Sequence, residues 1–370
     1  MTKLVLPSAL AFASIGCASA HAVSNEDPRS TPASTSAGTS IPGIPATAEY
    51  EVHEWGLVRQ EATGDVVRIG SVAPPVELRP LVVLKPVLYF HTKGKLDLAS
   101  VSVTAPSGGS ILEVWPLLHN GRTGEAIGSR VEWTRVALDP TGECAPSPLP
   151  TIADPPCTAL GADFCEVASL AVARTSDAAC VTTNGTTERF LFYRGRSTTL
   201  RPPLVVARRG AAGEIAVTNT GARRIPGKII RIRSVDGETS ASASSPPEPN
   251  DAVQIAEPSG VSALELPAST GKLPATVGSA VLRDTLGELG LTVEEIDAFM
   301  RAWEPTLFPR PGYTQLDIQL DSVPGLRSMG RTESILYFLP EESTDDVAKL
   351  GFSPAPRVVR RAIAVWTALP

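Results

Sequence analysis

Short segments of alternating apolar and polar residues, separated by turns, constrain the fold of this chain more than any other feature. The 370 residues include 34 prolines and 30 glycines, a content that predicts many turns and few long helices. Residues 48–59, 98–105 and 130–138 alternate as half-buried strands do. Strands this short, at this spacing, favour a β-sandwich over β–α–β units. We therefore expect a mainly β fold, with a β-sandwich over residues 48–257.

A different pattern follows a predicted linker at residues 258–275, and we expect a smaller α+β region over residues 276–370. Apolar residues between 279 and 289 share one helical face, and Gly290 ends that helix. Thr292 and Glu295 have the spacing of a capping box at the start of a second helix. The two helices would form an αα-hairpin.

The second helix carries an apolar stripe that we expect to pack on the sheet. Its members are Ile296, Phe299, Met300 and Trp303. Proline is poorly tolerated inside helices, so the helix should end before Pro305. The acidic residues Glu294, Glu295 and Asp297 are expected to lie in water, where they would repel nucleic-acid phosphates.

The N-terminus predicts export. Residues 1–22 combine one early lysine, a short apolar run and small residues, the pattern of a secretory signal. Ser14-Ile-Gly-Cys17 resembles a lipobox, which would make Cys17 a lipidated anchor, whereas Ala18-Ser-Ala20 would release a soluble periplasmic or secreted protein. We favour the anchor, because residues 23–47 are rich in Ser, Thr and Pro and would form a disordered tether. The expected location is the cell envelope.

The remaining four cysteines fit an exported protein. Cys144, Cys157, Cys165 and Cys180 lie close together within a Cys-rich insertion at residues 139–187. An even number of cysteines in an oxidising compartment predicts two disulfides. Three pairings are possible, and the nested one, Cys157–Cys165 inside Cys144–Cys180, is favoured. The spacings do not match those of zinc-binding cysteine pairs.

Charge and motifs exclude several classes of function. The formal net charge is −6 and the chain has no basic block, so nucleic acid is not an expected partner. No Walker A, dinucleotide-binding or G-x-S-x-G motif occurs. The membrane is expected as a partner only through the lipid anchor.

Five short motifs occur in an order that resembles a known family. They are His53-Glu-Trp-Gly56, Lys85-Pro-Val-Leu-Tyr-Phe90, Leu112-Glu-Val-Trp-Pro116, Phe190-Leu-Phe-Tyr-Arg-Gly195 and Ile335-Leu-Tyr-Phe-Leu-Pro340. The chain is similar, over about residues 50–370, to a family of exported bacterial proteins to which no activity is assigned. The resemblance implies export and a shared fold, and it implies no function.

Three histidines support one enzymatic hypothesis. His53 lies on a predicted strand, His91 ends the next predicted strand, and His119 follows in a loop. The histidines would come together only if these strands are neighbours. With Glu51 or Glu54 they could hold a zinc ion and a water molecule in a zinc-dependent hydrolase. No typical ligand spacing supports this site, and histidines that hydrogen-bond locally are the simpler interpretation.

The alternative hypothesis is a binding or structural role without catalysis or a cofactor, and the sequence favours it. Trp55, Trp115 and Tyr193 lie near strand ends and could form a shelf for a protein or glycan ligand, with Arg194 beside them. In a chain with only 5% aromatic residues, the interpretation of these side chains as core is favoured over the shelf. The sequence names no specific ligand.

Overall fold

The protein is mainly β, as the alternating pattern predicts. The computed structural model describes residues 48–60, 81–118, 127–141, 144–154, 157, 165–197, 203–209, 214–235, 238–255, 277–308 and 331–369. Within these residues, sixteen strands form three sheets. The strands are β1 (Ala48–Gln60), β2 (Leu81–Thr92), β3 (Leu96–Thr104), β4 (Ser110–Trp115), β5 (Arg130–Asp139), β6 (Cys180–Thr183), β7 (Thr186–Glu188), β8 (Leu191–Ser197), β9 (Leu204–Arg209), β10 (Glu214–Asn219), β11 (Ile229–Val235), β12 (Glu238–Ser244), β13 (Ala252–Ile255), β14 (Arg331–Phe338), β15 (Lys349–Ser353) and β16 (Pro356–Leu369).

Three helices and one 3₁₀ helix complete the described secondary structure. They are α1 (Val277–Glu288), α2 (Val293–Leu307), α3 (Glu341–Thr344) and the 3₁₀ helix Val167–Ala173. Among the described residues, no helix has both the length and the apolar character needed to cross a membrane.

One large sheet organises the molecule. Its eight strands lie in the order β12-β11-β14-β16-β1-β2-β8-β4. Only the central pair β1–β16 is parallel, and the other pairs are antiparallel. The two smaller sheets have the orders β15-β3-β5-β6-β7 and β13-β10-β9.

The two faces of the large sheet are covered differently. Both small sheets pack on one face, where Val52 and Phe90 meet Val101 and Trp133 in one apolar cluster, and a second cluster joins the large sheet to β9, β10 and β13. This sheet-on-sheet packing is that of a β-sandwich. The helices α1 and α2 and the disulfide-containing segment cover the opposite face.

The predicted boundary between residues 257 and 276 does not separate two sheets. The strands β14 and β16, which lie after that boundary, occupy the middle of the large sheet beside β11 and β1. The C-terminal strands therefore complete the sandwich instead of forming a region that docks on it.

Pro86 lies at a bulge inside the large sheet. Proline cannot donate to a β-ladder, so an edge position or a bulge is expected for it. The strand β2 pairs with β8 on one side and with β1 on the other. Its register with β8 shifts between Val83 and Val87, and its register with β1 shifts between Trp55 and Leu57. Gly56 permits this irregularity, since a Cβ atom there would lie 3.2 Å from Pro86 Cα.

Candidate functional site

Two neighbouring strands bring His53 and His91 together on the face that the helices cover. In the antiparallel pair β1–β2, His53 is opposite Tyr89 and Glu51 is opposite His91. Side chains alternate between the faces of a strand, so Glu51, His53 and His91 share one face. The imidazole ring centroids lie 4.4 Å apart. The two strands are neighbours, which is the condition that the predicted histidine site required.

The third member of the cluster is Glu295, from the first turn of α2. Thr292 Oγ1 accepts from the backbone N–H of Glu295 at 3.2 Å, and the carboxylate of Glu295 accepts from the N–H of Thr292 at 2.9 Å. The predicted capping box is therefore confirmed. The predicted exposure of Glu295 is wrong, because its side chain is fully buried against the two histidines.

The Glu295 carboxylate bridges both imidazole rings. Its Oε2 atom lies 2.9 Å from His53 Nδ1, and its Oε1 atom lies 2.8 Å from His91 Nε2. We call this set the His–Glu–His cluster: His53, His91 and Glu295. One potential ligand atom from each member lies within 4.8 Å of the other two.

Electrostatics hold the carboxylate in its charged form. Burial alone would raise the pKa of Glu295, but the hydrogen bonds from His53 and His91 outweigh it and lower that pKa to about 2. Burial likewise opposes the charged form of His91, yet its hydrogen bond to Glu295 raises its pKa above the ordinary value. A carboxylate can only accept hydrogen bonds, so both facing imidazole nitrogens donate.

A group of charged residues borders the cluster on the β1 side. Glu51 Oε2 lies 3.7 Å from His53 Nε2, and Glu51 pairs with Arg357 and lies 3.9 Å from Arg360 Nε. Arg360 is beside His53 in the parallel ladder of β1 and β16. The Arg360 side chain also packs over Gly290 in the turn between α1 and α2. The φ angle of Gly290 is +85°, and a Cβ atom at this position would lie 2.8 Å from Arg360 Nη1. The strand β16 and the turn between α1 and α2 are therefore in contact at this edge of the cluster.

The other residues of the predicted zinc site are elsewhere. Glu54 faces the opposite side of the sheet, where its carboxylate accepts from Tyr193 at 2.7 Å and pairs with Arg361. The predicted ligand His119 lies outside the described residues. Glu295 was missed as a candidate, although its spacing from Phe299 and Trp303 places it on the same helical stripe.

The predicted aromatic shelf is not at the surface. Trp55, Trp115 and Tyr193 are 0%, 5% and 1% exposed, so they form core, as the alternative interpretation had it. Arg194 is also buried, and its Nε atom lies 2.6 Å from Glu113 Oε2. Apolar packing and ion pairing occupy these side chains, which corrects their assignment to a ligand-binding surface.

The nested disulfide pairing is confirmed. Cys144 bonds to Cys180, and Cys157 bonds to Cys165. The 3₁₀ helix that follows Cys165 packs against the core beside α2, and Tyr89 donates to the carbonyl of Ala173 at 2.6 Å. The disulfide-containing segment therefore borders the strand that carries His91. Cys17, with its predicted anchor and tether, lies outside the described residues.

The donor set of the His–Glu–His cluster fits a divalent transition metal. Imidazole and carboxylate ligands suit zinc, and two histidines with one glutamate form a known catalytic zinc set. A zinc ion lies about 2 Å from each ligand atom, so the N–O pairs at 2.8 and 2.9 Å need to separate only slightly to admit one. A comparison of the chain with protein-family models and with curated proteins found no match. We therefore infer function from the geometry of the site.

Proposed function

We propose that this chain is an exported, lipid-anchored protein of the cell envelope that binds a divalent transition metal, with zinc as the best fit, through His53, His91 and Glu295. The observation that carries the proposal is the close approach of these three ligand atoms, within 4.8 Å of one another. Two disulfides agree with an oxidising compartment.

The members of the cluster differ in their exposure to solvent, as expected of a site that an ion enters from one side. Glu295 is fully buried and the His53 side chain nearly so, whereas the His91 side chain is 21% exposed. Glu295 is held by the capping box, and the two histidines are held by the β1–β2 ladder. Ligands that are fixed on regular elements keep the geometry a metal requires.

Metal stoichiometry of the purified protein tests the proposal. We expect one zinc per chain by elemental analysis after dialysis against zinc and removal of free metal. Glu295→Gln should abolish tight binding, since a neutral amide is a poor zinc ligand, while glutamine still permits the capping box. His91→Ala should do the same by removing one of three ligands.

His119→Ala is the matched control, because it also removes one imidazole. It should retain zinc. Loss of zinc in His119→Ala with retention in Glu295→Gln would overturn the proposed ligand set and favour His53, His91 and His119. Absence of zinc from the wild-type protein would refute metal binding altogether.

A zinc-dependent hydrolase is the second candidate function. The donor set of two histidines and one glutamate favours it, because three protein ligands leave a coordination position for water, whose pKa zinc lowers to about 7. Hydrolysis of an activated ester that depends on zinc and is lost in Glu295→Gln would support this candidate. Zinc binding without such hydrolysis would favour a binding role.

A further inference from the structure

His53 has a second ring nitrogen that the hydrogen bond to Glu295 does not use. Nε2 is buried and makes no hydrogen bond to any residue that the structure describes. Glu51 Oε2 lies 3.7 Å from this nitrogen. Buried polar atoms in native proteins nearly always have a partner, so this pair of atoms calls for a function.

We propose that Glu51 is a positioning residue for the metal, and that its carboxylate accepts a hydrogen bond from His53 Nε2–H when Nδ1 binds the ion. The inference rests on the metal-binding function proposed above. A metal on Nδ1 requires that nitrogen to be unprotonated, which places the ring proton on Nε2. A rotation that shortens the 3.7 Å separation by less than an ångström completes the bond.

Two arginines hold the Glu51 carboxylate in place beside His53. Arg357 pairs with Glu51 Oε1, and Arg360 Nε lies 3.9 Å from Glu51 Oε2. A carboxylate that is fixed by cationic partners is a good hydrogen-bond acceptor for an imidazole N–H. Carboxylates of this kind commonly orient the histidine ligands of metal sites.

Three variants separate a hydrogen bond from a simple charge effect. Glu51→Ala should weaken zinc binding by about 10- to 100-fold, the range typical of residues that orient ligands. Glu51→Gln should restore most of the affinity, since the amide oxygen accepts the same hydrogen bond. The matched control Glu49→Ala, an exposed position on the same strand, should bind as tightly as the wild type. Affinity is measured by competition with a chromogenic chelator.

The outcomes distinguish this inference from the metal site itself. If Glu51→Gln binds as weakly as Glu51→Ala, Glu51 acts through its charge and the positioning role is refuted. If both variants bind like the wild type, only this inference fails. A wild-type protein that binds no zinc overturns the metal site as well. Long-range ¹H–¹⁵N spectra of the zinc-bound protein should show the His53 proton on Nε2, and a proton on Nδ1 would contradict the inference.

Discussion

Glu295 combines three properties in one side chain. It closes the capping box with Thr292, it accepts from both imidazole rings, and it is fully buried. A buried carboxylate is costly unless charged and dipolar partners compensate for lost hydration. Here the partners are the two histidines and the N-terminus of α2, whose dipole also favours a negative charge.

The charge on Glu295 should make stability depend on pH. Its folded pKa lies near 2, below the ordinary value of 4.5, so its contribution is complete above about pH 4.5 and is lost as pH falls towards 2. The shift corresponds to at most about 3 kcal/mol. The raised pKa of His91 acts oppositely: its contribution is present below pH 6.5 and is lost as pH rises through the raised value.

Urea unfolding with a metal chelator, from pH 3 to pH 8, measures this contribution. The difference in unfolding free energy between wild type and Glu295→Gln should be largest between about pH 4.5 and 6.5. It should shrink on either side of that window. A difference that is constant across the range would show that the carboxylate stabilises the fold without its charge.

The sequence could predict two of the three cluster members. Alternation places His53 with Glu51 and Trp55 on one face of β1, and His91 with Tyr89 on one face of β2, because that depends only on the period of a strand. Their meeting depends on the pairing of β1 with β2. Glu295 was assigned to water because acidic residues in a first helical turn are usually solvated. Its partners lie 242 and 204 residues away in the chain, a pairing that local patterns do not contain.

The helix α2 packs on the large sheet through its apolar stripe, as α1 does through Leu282 and Leu286. Its apolar stripe is buried, as predicted, and Phe299 meets the Trp55 ring at 5.5 Å. The helix extends to Leu307 and includes Pro305, so the predicted end before Pro305 is wrong. Leu307 and Phe308 are buried. The free energy of their packing offsets the cost of the backbone hydrogen bond that Pro305 cannot donate.

Trp303 should carry a large share of the stability of this layer. It is 5% exposed at the end of the stripe, so we expect Trp303→Ala to cost roughly 3–5 kcal/mol, as other large-to-small core changes do. Chemical denaturation measures the cost. The control Val293→Ala lies on the same helix but is 67% exposed, and should change stability by less than about 0.5 kcal/mol. If Trp303→Ala leaves stability unchanged but abolishes the binding of a partner, the apolar stripe is an interface and not part of the core.

Most elements followed from local patterns, and most pairings did not. The strands near residues 48–59 and 130–138, the αα-hairpin and both disulfides were expected from alternation, capping and cysteine number. The order of strands in the large sheet was not, because β1 pairs with β16 across almost the whole described chain. Residue period specifies which side chains share a face but leaves the neighbouring strand undetermined.

At the scale of the whole molecule, the proposed envelope anchor can be tested separately from the metal. Cys17→Ser should move the protein from the membrane fraction to the soluble fraction, because the proposed lipid would be attached to the Cys17 thiol. Fractionation followed by immunoblotting measures the distribution. Ala20→Leu disrupts the alternative A-x-A site without altering Cys17 and should leave the protein in the membrane fraction. Membrane association that persists in Cys17→Ser would contradict the lipid anchor.

The parallel pairing of β1 with β16 also sets an order of events during folding. A polypeptide is synthesised from its N-terminus, so His53 and His91 are made before α2 and long before β16. The centre of the large sheet therefore waits for one of the last strands, and such long-range pairing is slow. Until then, β1 exposes an unpaired apolar edge of the kind that aggregates. A chaperone that binds extended apolar segments would protect β1 during that interval.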